Sequence, residues 1–326
     1  GMITNFRKFK RAGEFMKFTG QVVLAEKGMI ISPLFVTGIS IVNLLTIGSI
    51  FTYLVFIFQD SLAWLGYVLG SIASLLQLIV YYGIFYIAES INTTYAYEWY
   101  RKRDPDMKFC IKNVAGMFGP IFLFGVVTAV VSWIQSMLRN AAANAGKNPG
   151  GAILAILFRL FASILGVVFK YLNYFTLPAI VVEGRGLKDG ITRSFGLLTK
   201  YYMDVLIRET GVSRGMAFVQ MISSLIYGII GAIVGLILKG ALGNDITWTL
   251  AMLITILPML VFGNVPTFFI FRPMKTAYLT FIFAYAQDEE KNFSLPTRMP
   301  AELRGDIKEA EKTLNPDKSI ARLGLQ

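Results

Sequence analysis

These 326 residues contain no histidine and a single cysteine, Cys110. The first absence removes the usual metal ligand and the usual general base near neutral pH. The second excludes an intrachain disulfide. Charge is scarce too: 16% Asp, Glu, Lys and Arg, against about 25% in soluble domains. No glutamate pair, nucleophile motif or phosphate-binding glycine loop stands out. The chain is therefore not expected to be an enzyme, and no catalytic residue, metal or cofactor is assigned.

In place of charge there are 55% hydrophobic residues and a mean hydropathy of +0.59. Several apolar stretches exceed the roughly 20 residues that cross a bilayer core. The fold class that follows is all-α, a polytopic integral membrane protein. Net charge is +11, from 31 Lys and Arg against 20 Asp and Glu. Basic residues gather in the cytoplasmic loops of membrane proteins, and an anionic headgroup layer is a sufficient partner for them. None sits in a separate soluble domain, so nucleic acid is not an expected partner.

Six transmembrane spans are predicted, over 30–58, 65–94, 114–138, 152–182 and 216–239, with a sixth beginning near 247. The sixth stretch is about 40 residues long, too long for one straight crossing at 1.5 Å per residue. Pro258, the Gly263-Asn264-Val265-Pro266 element and Pro273 are expected to kink or break it. A spanning half would then be followed by a half that slants out or lies at the interface. Basic clusters precede the first, third and fifth spans, as in Arg7, Lys8, Lys10 and Arg11, or Arg101, Lys102 and Arg103. The intervening loops carry few. That alternation puts both termini in the cytoplasm of a multi-pass cell-membrane protein. Gly1–Met2 reads as a tag remnant before a native start, and the charged segment after it does not read as a secretory leader.

Each odd-numbered span follows a charged amphipathic segment. Phe6, Phe9, Ala12 and Met16 share one helical face, as do Met107, Ile111, Val114 and Phe118, and Leu187, Ile191, Leu198 and Tyr202. These read as three interfacial helices on the cytoplasmic side. A single transmembrane domain, 1–287, then divides into three helix-plus-hairpin units, about 1–100, 101–183 and 184–287. A polar tail, 288–326, follows.

Charges within a bilayer are costly and are functional candidates. Arg159 and Lys170 lie eleven positions apart, close to three helical turns, and Asn173 falls near the same face. Such a stripe can line an ion or anionic-solute path, or the long side chains can snorkel. Glu89 is the candidate counter-charge, with Asn92 one turn on, amid the aromatics of "YYGIFYIAESINTTYAYEWY". A second candidate is the expected helix break, with Asn264, Pro266, Arg272 and Lys275. Gly231 and Gly235 form a GxxxG packing face, either internal or between subunits of a homo-oligomer.

The third candidate is the stretch "TLPAIVVEGRGLKDGITRSF" at 176–195. Pro178 is expected to end or bend the fourth span and Glu183 to mark the water boundary. Gly184 and Gly186 allow a sharp turn into a helix from Leu187, and Arg193 can reach lipid phosphate or Glu183. Through Pro178, Glu183, Gly184, Arg193, Ser194 and Phe195 this stretch resembles the segment joining spans four and five in six-span prokaryotic membrane proteins of the DUF6159 type. It also resembles the membrane domain fused to some glycerophosphodiester phosphodiesterases. The layout of "FKRAGEFMKFTGQVVLAEKGMIISPLFVTGI" is similar as well. The resemblance implies six helices and no established activity, and the phosphodiesterase catalysis is not carried over because that domain has no counterpart in this sequence. Two functions stay open: an oligomeric channel or transporter-like protein for an ion or small anionic solute, and a non-transporting scaffold that binds lipids or organises an assembly.

Overall fold

The computed structural model describes residues 2–57, 63–147, 150–201, 212–242, 247–291 and 296–305. Among them there is no strand. The helices are α1 (Met2–Ala25), α2 (Gly28–Ile57), α3 (Ala63–Tyr100), α4 (Met107–Gly116), α5 (Phe118–Ala145) and α6 (Ala152–Asn173). They continue as α7 (Thr176–Glu183), α8 (Leu187–Tyr201), α9 (Val212–Leu242), α10 (Trp248–Pro266) and α11 (Arg272–Glu290). Tyr202, in the third apolar row, lies outside the described residues, as do the side chains of Phe6, Phe9 and Ala12 in the first.

Five of these helices are long and apolar enough to cross a membrane: Gly28–Ile50, Trp64–Tyr100, Phe118–Ala145, Ala152–Phe169 and Gly215–Ala241. The most apolar windows of Trp64–Tyr100, Ala152–Phe169 and Gly215–Ala241 are each only 11% buried. Their surfaces carry exposed Ile72, Leu76, Ile153, Ile156, Phe161, Leu225 and Ile237. So large an apolar surface is unsustainable in water. The chain is a multi-pass integral membrane protein. The expected sixth span contains only the shorter apolar helix Ala251–Leu260.

Contacts group the chain into two units. The first comprises 1–33, 204–278 and 299–326. Here α9 and α10 pair through a row of glycines. A Cβ at Gly231 would lie 2.9 Å from the Ile256 Cα, and one at Gly235 would lie 2.7 Å from Thr255 Oγ1. The GxxxG face is therefore an internal packing face. In α1, Phe15, Phe18, Thr19, Val22 and Val23 are buried at helical spacing, and Phe15 meets Tyr278 edge-on at 5.8 Å. This stripe is packed on protein.

The second unit comprises 34–203 and 279–298. Its central pair is α3 and α5, whose backbones touch: a Cβ at Gly125 would lie 2.9 Å from the Gly83 Cα. Hydroxyl pairs flank this crossing, Thr128 with Tyr86 at 3.4 Å and Ser132 with Tyr82 at 3.2 Å. Small residues and interhelical hydroxyls are the adhesives of helices in lipid. Gly125→Val should lower stability by about 1–3 kcal/mol, because backbone cannot yield as a side chain can. Gly119→Val, with nothing within 4 Å of its Cβ position, should leave the unfolding temperature nearly unchanged. Comparable losses from both would show that the crossing is not tight.

One expectation about a break is corrected and one is refined. The fourth span ends at Asn173, before Pro178. Pro178 is the third residue of α7, in the first turn, where its missing N–H has no intrahelical acceptor to lose. The actual break, at Tyr174–Phe175, is closed by the Phe175 N–H, which donates to Ser194 Oγ at 3.1 Å. The sixth stretch, expected to kink or break, leaves regular α-helix directly after Gly263–Pro266 but stays helical. α10 runs through Pro258 to Pro266, and a π-helical turn, Thr267–Phe271, leads into α11. The wider π turn accommodates lost i→i−4 bonds without ending the helix. α11, expected to slant out or lie at the interface, is covered by protein over its second half: every residue from Phe281 to Asp288 is buried.

Candidate functional site

The charged groups that the structure brings together lie at one end of the second unit, where α3, α7, α8 and the end of α11 meet. The site begins with the turn after α7. Gly184 has φ +66°, the left-handed conformation that ends helices and that glycine adopts without strain. It reverses the chain into α8, which starts at Leu187. A Cβ at Gly190 would lie 2.9 Å from Ile180 Cγ1, so α8 lies close along α7. Its inner side buries Gly190, Ser194, Leu197 and Leu198, with Leu187 and Ile191 half-buried. Lys188 and Asp189 face outward.

This geometry aims Arg193 at two carboxylates. Its Nε and Nη2 donate to Glu183 Oε1 at 3.2 and 3.1 Å. Its Nη1 and Nη2 donate to the two oxygens of Glu290 at 3.0 and 2.6 Å. Arg185 pairs with the other oxygen of Glu183. Gln287 donates to Glu183 Oε1 at 2.9 Å and accepts from the Tyr97 hydroxyl at 3.1 Å. Burial alone would push the Glu183 carboxyl up, but the bonds from Gln287, Arg185 and Arg193 outweigh it and hold the group below its ordinary value of 4.5. Glu290 first, and then Glu183, keeps Arg193 more basic than a free arginine.

The next residue on α11 starts a second knot. Asp288 is 1% exposed and pairs with Arg101, 3% exposed. The Tyr100 hydroxyl donates to the other Asp288 oxygen at 2.9 Å. The Arg101 guanidinium lies over the Tyr97 and Tyr100 rings, at 5.1 and 5.2 Å, an arrangement worth more when desolvated. Tyr100 and Trp99 stack on Phe281 at 5.5 and 5.8 Å. Arg298 lies over Trp99, and its backbone N–H donates to Tyr100 O at 2.8 Å. Acidic residues in the last turn of a helix oppose its dipole. α11 ends Gln287-Asp288-Glu289-Glu290 all the same, and two of its acids are matched by Arg101 and Arg193.

Of the residues singled out from sequence, Glu183, Gly184 and Arg193 meet here, with Pro178 buried a turn inside α7. Glu89 and Asn92 are buried on α3. The Thr93 hydroxyl donates to Glu89 O at 2.9 Å. Asn92 is 0% exposed, and neither end of its amide has a partner. Arg159 is exposed on α6, Asn173 is half-buried at its end, and the Lys170 side chain lies outside the described residues. So do the side chains of Asn264 and Pro266; Arg272 is half-buried and Lys275 exposed at the start of α11. Sequence reading missed Asp288, Gln287 and Glu290, assigning Asp288 and Glu290 to the tail. The acidic C-terminal turn directly after an apolar run was the available signal.

Among the described residues no three of His, Cys, Asp and Glu are grouped to hold a metal. The network consists of acids and bases paired across helices, and its chemistry is that of a joint between helices. No family model and no curated protein matches this sequence.

Proposed function

We propose that the protein is a non-transporting membrane scaffold, in which the charge network fixes α3, α7, α8 and α11 as a rigid layer at one end of apolar helices that bind lipid. The observation that carries this reading is the pairing of Arg101 with Asp288 and of Arg193 with Glu183 and Glu290. Each of these guanidiniums is held by at least one carboxylate, although the Nε and Nη2 of Arg101 have no hydrogen-bond partner among the described residues. A solute path would need such groups free to exchange partners with an ion. The polar groups between α3 and α5 are likewise committed to each other, around a crossing where Gly83 and Gly125 touch. Arg159 is exposed on α6, where its long stem suits snorkelling to the headgroups.

The buried, unpartnered amide of Asn92, one turn from Glu89, favours the second reading, an ion or anionic-solute path. The two separate in a flux assay on protein reconstituted into liposomes. Chloride, phosphate, potassium and proton fluxes are expected to match those of protein-free vesicles. A flux above that background, altered by Asn92→Leu or Glu89→Gln with folding intact, would replace the scaffold with a transporter.

A further inference from the structure

The three charged helices differ in what they do with their apolar side chains. α1 buries Phe15, Phe18, Val22 and Val23, and α8 buries Leu197 and Leu198. α4 buries Cys110 and Val114 but leaves Phe109 and Ile111 47% and 50% exposed. At 100° per residue, Lys108 and Lys112 fall on the outward arc between those two apolar residues, opposite Cys110 and Val114. Both lysines are exposed, and neither has an ion pair among the described residues. The neighbouring acids are engaged. Asp106 caps the helix, accepting the Phe109 N–H at 2.7 Å, and Asp104 accepts from Arg298 at 2.9 Å.

Beyond Met117 the exposed apolar surface continues along α5. Phe118, 51% exposed, stacks on Phe122 at 5.6 Å, and Leu123 is 50% exposed. α5 is long and apolar enough to cross a bilayer, so this surface faces lipid. α4 stands where α5 enters the membrane, with an apolar residue on either side of two unpaired lysines. We propose that α4 is a lipid-surface anchor: Phe109 and Ile111 rest in the interfacial layer, and Lys108 and Lys112 bind the phosphates of anionic phospholipids. This rests on the membrane placement in the scaffold reading, but not on the absence of transport.

The test uses the full-length chain. Spin labels at Phe109→Cys and Ile111→Cys, in a Cys110→Ala background, are compared in phosphatidylglycerol/phosphatidylcholine vesicles for accessibility to oxygen and to a water-soluble nickel chelate. Both labels should favour oxygen, and a label that favours the chelate would remove its residue from the interfacial layer and overturn the anchor as proposed. In parallel, native mass spectrometry of detergent-solubilised protein with Cys110 intact measures retained phosphatidylglycerol against phosphatidylcholine. K108Q/K112Q should reduce the preference for phosphatidylglycerol on the order of tenfold, from the attraction of two lysines to an anionic surface. K188Q, which removes an exposed lysine of α8, should not. Both labels favouring the chelate would show that α4 faces water or an acidic protein, and unchanged retention would show that the lysines do not hold lipid. Either result overturns the proposal, and neither depends on the flux assay, so the two readings fail separately.

Discussion

Asp288→Asn is expected to destabilise the protein by roughly 3–5 kcal/mol, the loss that follows when a buried ion pair is broken from one side. The change keeps the shape of the side chain and an oxygen for the Tyr100 hydroxyl. What it removes is the charge that, among the described residues, pairs with the Arg101 guanidinium within hydrogen-bond reach. Arg101 is nearly sealed from water, between the Tyr97 and Tyr100 rings, and has no easy way out. The buried Cys110 thiol, the only cysteine, supplies the readout: its reaction with a fluorogenic maleimide follows unfolding of the chain. Combining Arg101→Met with Asp288→Leu should recover much of the loss, because an apolar pair of similar volume can match a buried ion pair. Full stability of Asp288→Asn alone would mean that Arg101 reaches water, and that the knot is a surface contact.

How much of this was legible in the sequence depended on whether a feature is local. The turn at Gly184 could be read because a glycine between an apolar helix and a charged one has a single common use. Lipid phosphate and Glu183 were the partners foreseen for Arg193, and Glu183, ten residues away, is one the structure pairs with it. Glu290 is 97 residues away and was not foreseen. Arg101 and Asp288 are separated by 187 residues, and no periodicity carries information over that span. Hydropathy also gave no sign that protein would cover α11. Its buried half mixes Phe281, Phe283, Ala284 and Tyr285 with Thr280, Gln287 and Asp288, a composition that an interfacial helix shares. Apolar rows were found in all three charged helices, but a pattern does not say whether protein or lipid covers it. α8 buries Leu198 of its row in protein, and α1 buries a different stripe, Phe15, Phe18, Val22 and Val23.

Arg193→Met should cost on the order of 2 kcal/mol, less than the Asp288 change because its side chain is 19% exposed and water screens part of the interaction. Arg193→Lys should restore only part of this. An ammonium is a point donor and cannot hold two carboxylates at once as the guanidinium fork does. Arg185→Met is the comparison. Its side chain is 40% exposed, and its loss should be within about 1 kcal/mol. The hub also has a pH signature. The Glu183 carboxyl is held below its ordinary value of 4.5 in the folded chain, so the unfolded chain takes up the proton first as pH falls. Its stabilisation is complete above 4.5 and is lost as pH drops through the folded value. The wild-type unfolding temperature should therefore fall on acidification below 4.5. Glu183→Gln should be less stable at neutral pH yet show a shallower acid slope, since it has no proton to take up there. Parallel acid slopes for the two proteins, or equal small losses from Arg193→Met and Arg185→Met, would reduce the hub to an ordinary surface pairing and leave the Arg101–Asp288 pair as the buried charged lock described for the second unit.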